Sequence, residues 1–237
     1  MSGHVLVVGA SSGIGRAVAE RCSSNASVTA LARRADRLAT LSEHGIFVSA
    51  CDVTDFEALE SAVTLAVERL GKLSAVVYCA GHQLIKPLRT ITAKDLNNVF
   101  AVNLLAPLVL AKYFASQRVS MPDAVFCVVS SVAAQRPESG IVAYSVAKAG
   151  LEALIKGMAK ELGPRRAVGV APGWLDTEMT QGYQHIYNEE FRTALARRSP
   201  AGVATVDSVV DVIEFLLSSK ARHVTGEVVT VDGGAIL

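Results

Sequence analysis

The sequence predicts an α/β domain, a doubly wound parallel sheet of about seven strands with helices on both faces. Two observations carry that expectation. Short apolar runs alternate with helical patterns along all 237 residues, and such alternation builds parallel sheets whose crossovers are helices. Apolar residues make up 51% of the chain and are spread along it, which suits one domain with a large core. Strands are expected near 4–8, 27–32, 46–50, 74–79, 124–129, 167–171 and 227–231. Helices are expected near 13–23, 35–43, 55–70, 92–118, 144–162 and 205–218. No repeat, low-complexity tract or linker divides residues 1–237.

The first strand run, His4–Val8, leads into Gly9-Ala10-Ser11-Ser12-Gly13-Ile14-Gly15 and then a helical pattern, RAVAERC. Strand, glycine-rich turn and helix in that order form a dinucleotide-binding opening. The glycines let the backbone turn tightly and approach a pyrophosphate, which lies at the positive end of the helix. The expectation sharpens to a Rossmann-type domain, with Gly9, Ser11, Ser12, Gly13, Ile14 and Gly15 as cofactor contacts. After the second strand comes Leu31-Ala32-Arg33-Arg34. A chain preferring NAD usually carries an acid here to bond the ribose hydroxyls, and Ala32 stands in that place. A carboxylate would repel a 2′-phosphate, whereas a planar guanidinium welcomes one. Alternatively, Arg33 and Arg34 begin a solvated helix, and even then the missing acid weighs against NAD.

Charge and composition exclude several classes. A net charge of +1 gives no electrostatic reason to bind nucleic acid or an anionic membrane. No apolar run approaches the ~20 residues of a membrane span, and the N-terminus lacks the pattern of a signal peptide. Cys22, Cys51, Cys79 and Cys127 form no CxxC pair. They read as buried free thiols rather than metal ligands, so no metal site and a reducing, cytoplasmic setting are expected.

The most informative stretch is Ser130–Lys148, SSVAAQRPESGIVAYSVAK, which follows the buried strand run Ala124–Val129. Tyr144 and Lys148 open a helical pattern four residues apart and so share one helix face. An ammonium close to a phenol lowers a pKa that is about 10 when unperturbed, so a phenol tuned in this way can exchange a proton at neutral pH. Ser131 lies at the end of its strand, where α/β proteins put ligand contacts. Taken alone, the pair also fits a helix face with a packed tyrosine and an exposed lysine.

The glycine turn, Ser131, Tyr144 and Lys148 together resemble the short-chain dehydrogenase/reductase family, and the resemblance covers essentially the whole chain. Members with Arg after the second strand use NADP(H), which implies NADP(H) here with Arg33 as the main contact. The resemblance also implies that Asp52-Val53 holds adenine and that Ala80-Gly81 passes close to a ribose. Pro172-Gly173 and Thr177 would hold the nicotinamide carboxamide, although Thr177 also suits an N-cap. Val8, Tyr78 and Cys79 depart from the family's Thr and Asn residues, which tie the first strand to the fourth. Asn103 matches the family's helix-distorting asparagine, where it supports proton supply to the lysine. On the residues alone it could be a local kink or an exposed polar position.

The catalytic set implied is thus Asn103, Ser131, Tyr144 and Lys148. Ser131 would bond a carbonyl oxygen, Tyr144 would protonate it, and Lys148 would hold the ribose and lower the tyrosine pKa. The layout is similar to 3-oxoacyl-acyl-carrier-protein reductases, which implies a small-molecule or acyl-carrier-bound carbonyl substrate. Another alcohol, sugar or polyketide substrate, or a non-catalytic NADP-binding regulator, are the alternatives. His82, Gln83, Ala133, Trp174, Met179, Tyr183 and Tyr187 are the expected pocket residues, and residues 178–200 an expected lid or a surface excursion. Arg136, Arg165 and Arg166 could dock an acidic carrier or simply be solvated. The helices near 92–118 and after Tyr144 are apolar over more than one face, and the family packs them against further subunits. The implied assembly is a homo-oligomer, a tetramer or a dimer.

Overall fold

The computed structural model describes residues 3–237. Along the chain run β1 (His4–Val8), α1 (Gly13–Ser23), β2 (Ser27–Ala32), α2 (Ala35–Ser42), β3 (Phe47–Ala50) and α3 (Phe56–Leu70). Then follow β4 (Leu73–Tyr78), α4 (Ala93–Phe100), a π-helical turn (Ala101–Leu105), α5 (Ala106–Phe114), β5 (Ser120–Val129) and α6 (Val142–Glu161). The chain closes with β6 (Arg166–Pro172), α7 (Glu178–Gln181), α8 (Glu189–Arg197), α9 (Val206–Leu217) and β7 (Val228–Val231).

The strands form one parallel sheet in the order β3-β2-β1-β4-β5-β6-β7. Alternation along each strand divides the core between its two faces. Val5, Val7 and Ala30 pack with Val18 of α1 and Ile213 of α9. Leu6, Val8 and Leu31 point the other way, against Leu59 of α3, Leu110 of α5 and Leu151 of α6. Local chemistry marks the helix ends. The Asp55 carboxylate accepts from the Ala58 N–H at 3.0 Å to start α3, and Gly71 at φ +84° ends it.

Two elements differ from expectation. Strand β5 begins at Ser120 rather than near residue 124. Its register jumps from Leu73↔Ser120 to Ala75↔Val125, so the intervening residues bulge and the regular ladder is the expected stretch. The long helix expected over 92–118 ends at Phe114 and contains the π-helical turn at Ala101–Leu105. By length and composition, Ala93–Phe114 could cross a membrane, but Ala106, Leu110 and Phe114 pack into the core against the sheet. Leu105 and Leu108 remain exposed at 43% and 49%.

Candidate active site

At β1 the sheet order reverses, with β2 on one side and β4 on the other, and the crossover helices leave to opposite faces. A crevice opens at the carboxyl ends of the strands at such a point. Here it is a cleft of about 860 Å³.

Its first wall is the glycine turn between β1 and α1. Gly9 has φ +89°, and a Cβ there would stand 2.5 Å from the Ala80 amide nitrogen, while one on Gly15 would meet the Gly9 carbonyl. Both positions therefore require glycine. The Gly9 and Ala10 N–H groups donate to the Leu31 carbonyl at 2.8 and 3.1 Å, anchoring the turn to β2. Ser12 is the N-cap of α1 but makes no side-chain cap bond. The first N–H groups of this helix lack intrahelical partners, and Gly13, Ile14 and Gly15 line the cleft. A close-approach turn beside a helix N-terminus fits the pyrophosphate of a dinucleotide. Ser11, Asp52, Val53, Ala80, Gly81, Pro172, Gly173 and Thr177 line the same cleft.

Arg33 and Arg34 behave differently, although in sequence they form one basic pair. Arg33 is exposed on the cleft wall. Arg34 folds back over the turn, donating to Ser11 Oγ at 2.9 Å and Ser12 Oγ at 3.0 Å. It also grips both carboxylate oxygens of Glu178, at 2.6 and 2.9 Å.

The opposite wall carries Ser131, Tyr144 and Lys148. Ser131 lies two residues beyond β5 and is the N-cap of a short 3₁₀ turn, its Oγ accepting from the Ala133 N–H at 3.2 Å. Tyr144 and Lys148 lie one turn apart on α6, each almost wholly buried. The Lys148 ammonium donates to the Val129 carbonyl at 2.8 Å and stands 5.6 Å from the Tyr144 ring centroid.

Their protonation departs from the sequence expectation. Burial pushes the Tyr144 phenol up to about 12, the Ser131 hydroxyl offsetting part of the rise. Burial also lowers Lys148 to about 8. Burial, not the lysine, sets the direction for the phenol here. Both groups lose water, and desolvation drives each towards its neutral form more strongly than they influence one another.

Asn103 lies under this wall rather than in it. It is fully buried, its Oδ1 accepting from the His82 N–H at 3.2 Å. Its Nδ2 donates to the carbonyls of His82 at 2.8 Å and Val99 at 2.9 Å. In a π turn an N–H reaches five residues back, as Ala106 does to Ala101, which leaves neighbouring carbonyls short of their usual partner. Asn103 satisfies Val99, and the Tyr78 hydroxyl satisfies Val102 at 2.6 Å. Tyr78 is a site-supporting residue that sequence reasoning missed. A large polar-tipped residue closing the buried run LSAVVY needs a partner when folded, and that was the available signal. The tie between β1 and β4 is made at this point by backbone, from the Cys79 N–H to the Val8 carbonyl at 2.8 Å.

Of the expected pocket residues, His82, Gln83, Ala133, Trp174, Met179 and Tyr187 line the cleft. Tyr183 stands behind them, its hydroxyl donating to the Gln83 carbonyl at 3.1 Å. Gln83 Nε2 donates to the Tyr187 hydroxyl at 2.7 Å; Trp174 and Phe191 meet edge to face, and the Tyr187 ring is tilted against both. Residues 178–200 are not a structureless excursion: they hold α7 and α8, and Met179, Thr180, Tyr187, Phe191, Leu195 and Arg198 border the cleft. Thr177 is the N-cap of α7, and it also faces the glycine turn, since a Cβ on Gly13 would lie 3.6 Å from its methyl group. Arg136 reaches the cleft, but Arg165 and Arg166 are buried away from it. Arg165 donates to Ser120 Oγ at 2.7 Å. Arg166 donates to the Leu216 carbonyl at 2.9 Å, at the end of α9. Neither is available to dock a carrier, because each satisfies buried polar groups.

Known proteins resemble this chain along nearly its whole length. The family model described as "Enoyl-(Acyl carrier protein) reductase" matches residues 9–235. D-erythrulose reductase of Gallus gallus is 37% identical, covering 99% of this chain and 96% of its own length. The 3-oxoacyl-acyl-carrier-protein reductase MabA of Mycobacterium tuberculosis is 30% identical over 99% of this chain and 93% of its own. The crystal structure of a Brucella melitensis protein titled short-chain dehydrogenase/reductase SDR:Glucose/ribitol dehydrogenase superposes with a TM-score of 0.92. That protein is 26% identical, over 99% of this chain and 97% of its own. Sequence match and fold agree across the whole domain: this chain belongs to the short-chain dehydrogenase/reductase family, oxidoreductases that use a nicotinamide cofactor.

Proposed function

We propose that the protein is an NADP(H)-dependent reductase that converts a ketone to a secondary alcohol, with Asn103, Ser131, Tyr144 and Lys148 as its catalytic machinery. One observation carries this reading: a serine hydroxyl, a phenol and an ammonium share a cleft wall facing a glycine turn flanked by two arginines, with Ala32 in the acid's place. The nicotinamide supplies the hydride when bound. The turn from Gly9 to Gly15 holds the pyrophosphate, Asp52 and Val53 border the adenine, and Ala80 and Gly81 pass the ribose. Pro172, Gly173 and Thr177 hold the carboxamide, and Arg33 meets the 2′-phosphate with Arg34 beside it. Preference for NADP(H) is supported by charge: a dianionic phosphate gains from a guanidinium and meets no carboxylate at position 32.

In the reducing direction Ser131 donates a hydrogen bond to the substrate oxygen, and Tyr144 gives up its proton as negative charge develops there. A phenol held up at about 12 is fully protonated at neutral pH, which is the state a donor needs. Lys148, lowered to about 8, gains and loses a proton within reach of working pH and restores the tyrosine. Asn103 keeps the His82 backbone in place and holds the π turn open behind the lysine. Residues 178–200 form the lid over the substrate, bringing Met179 and Tyr187 to it.

Two substrate readings follow. A 3-oxoacyl thioester on an acyl carrier is supported by the MabA relative. A small hydroxylated ketone is supported by the D-erythrulose reductase relative and by the Gln83–Tyr187 polar wall. The exposed Leu105, Leu108 and Val146 support a homo-oligomer built on α5 and α6, a tetramer or a dimer. Four free cysteines support a cytoplasmic, reducing setting.

The test is turnover of acetoacetyl thioesters and short ketoses with NADPH and with NADH, alongside Tyr144→Phe. Reduction by the unmutated chain with NADPH, lost by a factor of about 10²–10⁴ in the variant while NADPH still binds, is the expected result. Full activity in Tyr144→Phe would remove the mechanism, and bound NADPH without turnover of any ketone would favour a non-catalytic role.

A further inference from the structure

The Arg34 guanidinium is committed before any ligand is considered. Its Nη1 and Nη2 grip Glu178 Oε1 and Oε2 at 2.6 and 2.9 Å, a fork-to-fork pair. Its remaining bonds go to Ser11 Oγ, at 3.3 Å from Nε and 2.9 Å from Nη2, and to Ser12 Oγ at 3.0 Å from Nη2. Arg37 stands 3.7 Å from the same carboxylate. Arg33 has no polar partner among the described residues and stays open on the cleft wall. Glu178 opens α7, immediately after Thr177, so the pair joins the glycine turn to the start of the segment 178–200.

We propose that Glu178 sets the cofactor preference of this chain by competing with a 2′-phosphate for Arg34. The inference rests on the NADP(H) reading. A phosphate presents oxygens to a guanidinium in the same bidentate geometry as a carboxylate. Both cannot occupy one fork, and a phosphate set beside Glu178 would bring like charges together. Binding a 2′-phosphate therefore exchanges partners: Arg34 turns to the phosphate, and Glu178 is released, with the first turn of α7, to Arg37. A ribose 2′-hydroxyl carries no charge with which to displace the carboxylate. Glu178 accordingly weakens binding of the phosphorylated cofactor and leaves its unphosphorylated analogue untouched, and α7 is set differently for the two.

The test uses the full chain titrated calorimetrically with 2′,5′-ADP and 5′-AMP, fragments that differ in the 2′-phosphate and need no turnover. Glu178→Gln keeps the shape of an exposed side chain and removes its charge. It should tighten 2′,5′-ADP about two- to fivefold, the range of an exposed ion pair, and leave 5′-AMP unchanged. In an Arg34→Ala background the same substitution should do nothing. Unchanged or weaker 2′,5′-ADP binding overturns the proposal, and so does equal tightening of 5′-AMP. Tightening that persists without Arg34 also overturns it, since that would be bulk charge removal. Equal affinity of the unmutated chain for both fragments removes the NADP(H) reading and this inference together. A preference for 2′,5′-ADP that ignores Glu178→Gln removes this inference alone.

Discussion

Replacing Lys148 by methionine should abolish activity and yet stabilise the protein. The ammonium is 3% exposed and its pKa is lowered from 10.5 to about 8 by burial. A shift of that size corresponds to about 3 kcal/mol. The sign follows from linkage. A base whose folded pKa lies below its unfolded value destabilises the fold fully below pH 8, where both states are charged. The penalty fades as pH rises towards 10.5, where the folded state is neutral and the unfolded state still holds the proton. Methionine fills similar volume and carries no charge, but it leaves the Val129 carbonyl without the 2.8 Å bond it now accepts, a loss of about 1–3 kcal/mol. The net gain at pH 7 is then about 0–2 kcal/mol, a rise in Tm of up to roughly 8 °C for a domain of this size. At pH 9.5 the charge penalty falls by about half, so any gain of the variant should shrink or reverse. Urea unfolding of both proteins at pH 7 and pH 9.5, at one protein concentration, measures this directly. A variant less stable than the parent at pH 7, or a gain that does not shrink by pH 9.5, would refute the reasoning. Stability given up to keep a buried cation is a common signature of a working site.

Other expected outcomes concern cofactor, turn and assembly. Arg33→Ala should weaken NADPH binding by about 1.5–3 kcal/mol, the range of a charge-assisted bond, with NADH nearly unchanged; titration with both cofactors checks it, and equal weakening would show that Arg33 does not read the phosphate. Tyr78→Phe removes the hydroxyl that satisfies the Val102 carbonyl at 2.6 Å, and chemical denaturation should show a loss of about 1–3 kcal/mol. Leu108→Glu puts a charge on a 49% exposed apolar position of α5, and sedimentation should show the proposed homo-oligomer dissociating. A stable monomer of the unmutated chain at micromolar concentration would remove the assembly altogether.

Much of this protein was readable before folding, because its signals are local. The strand runs VLVV and VFCVV, the glycine turn from Gly9 to Gly15 and the i, i+4 spacing of Tyr144 and Lys148 each act over a few residues. Steric and periodic rules are strong over that range. Alternation of elements then decided a parallel sheet, and the switch between β1 and β4 brought Ser131, Tyr144, Lys148 and the glycine turn to one cleft, as expected. What sequence could not supply depends on desolvation and on partners far away in the chain. The phenol of Tyr144 is pushed up by burial, and burial is a property of the packed domain. Arg34 finds Glu178 at a separation of 144 residues, which no local pattern encodes. Arg165 and Arg166 read as surface charges until β5, β6 and α9 enclose them, Arg165 against the Ser120 hydroxyl and Arg166 against carbonyls at the end of α9. Asn103 looked like a flaw in a helix; only the folded chain shows the π turn whose freed carbonyls it and Tyr78 satisfy.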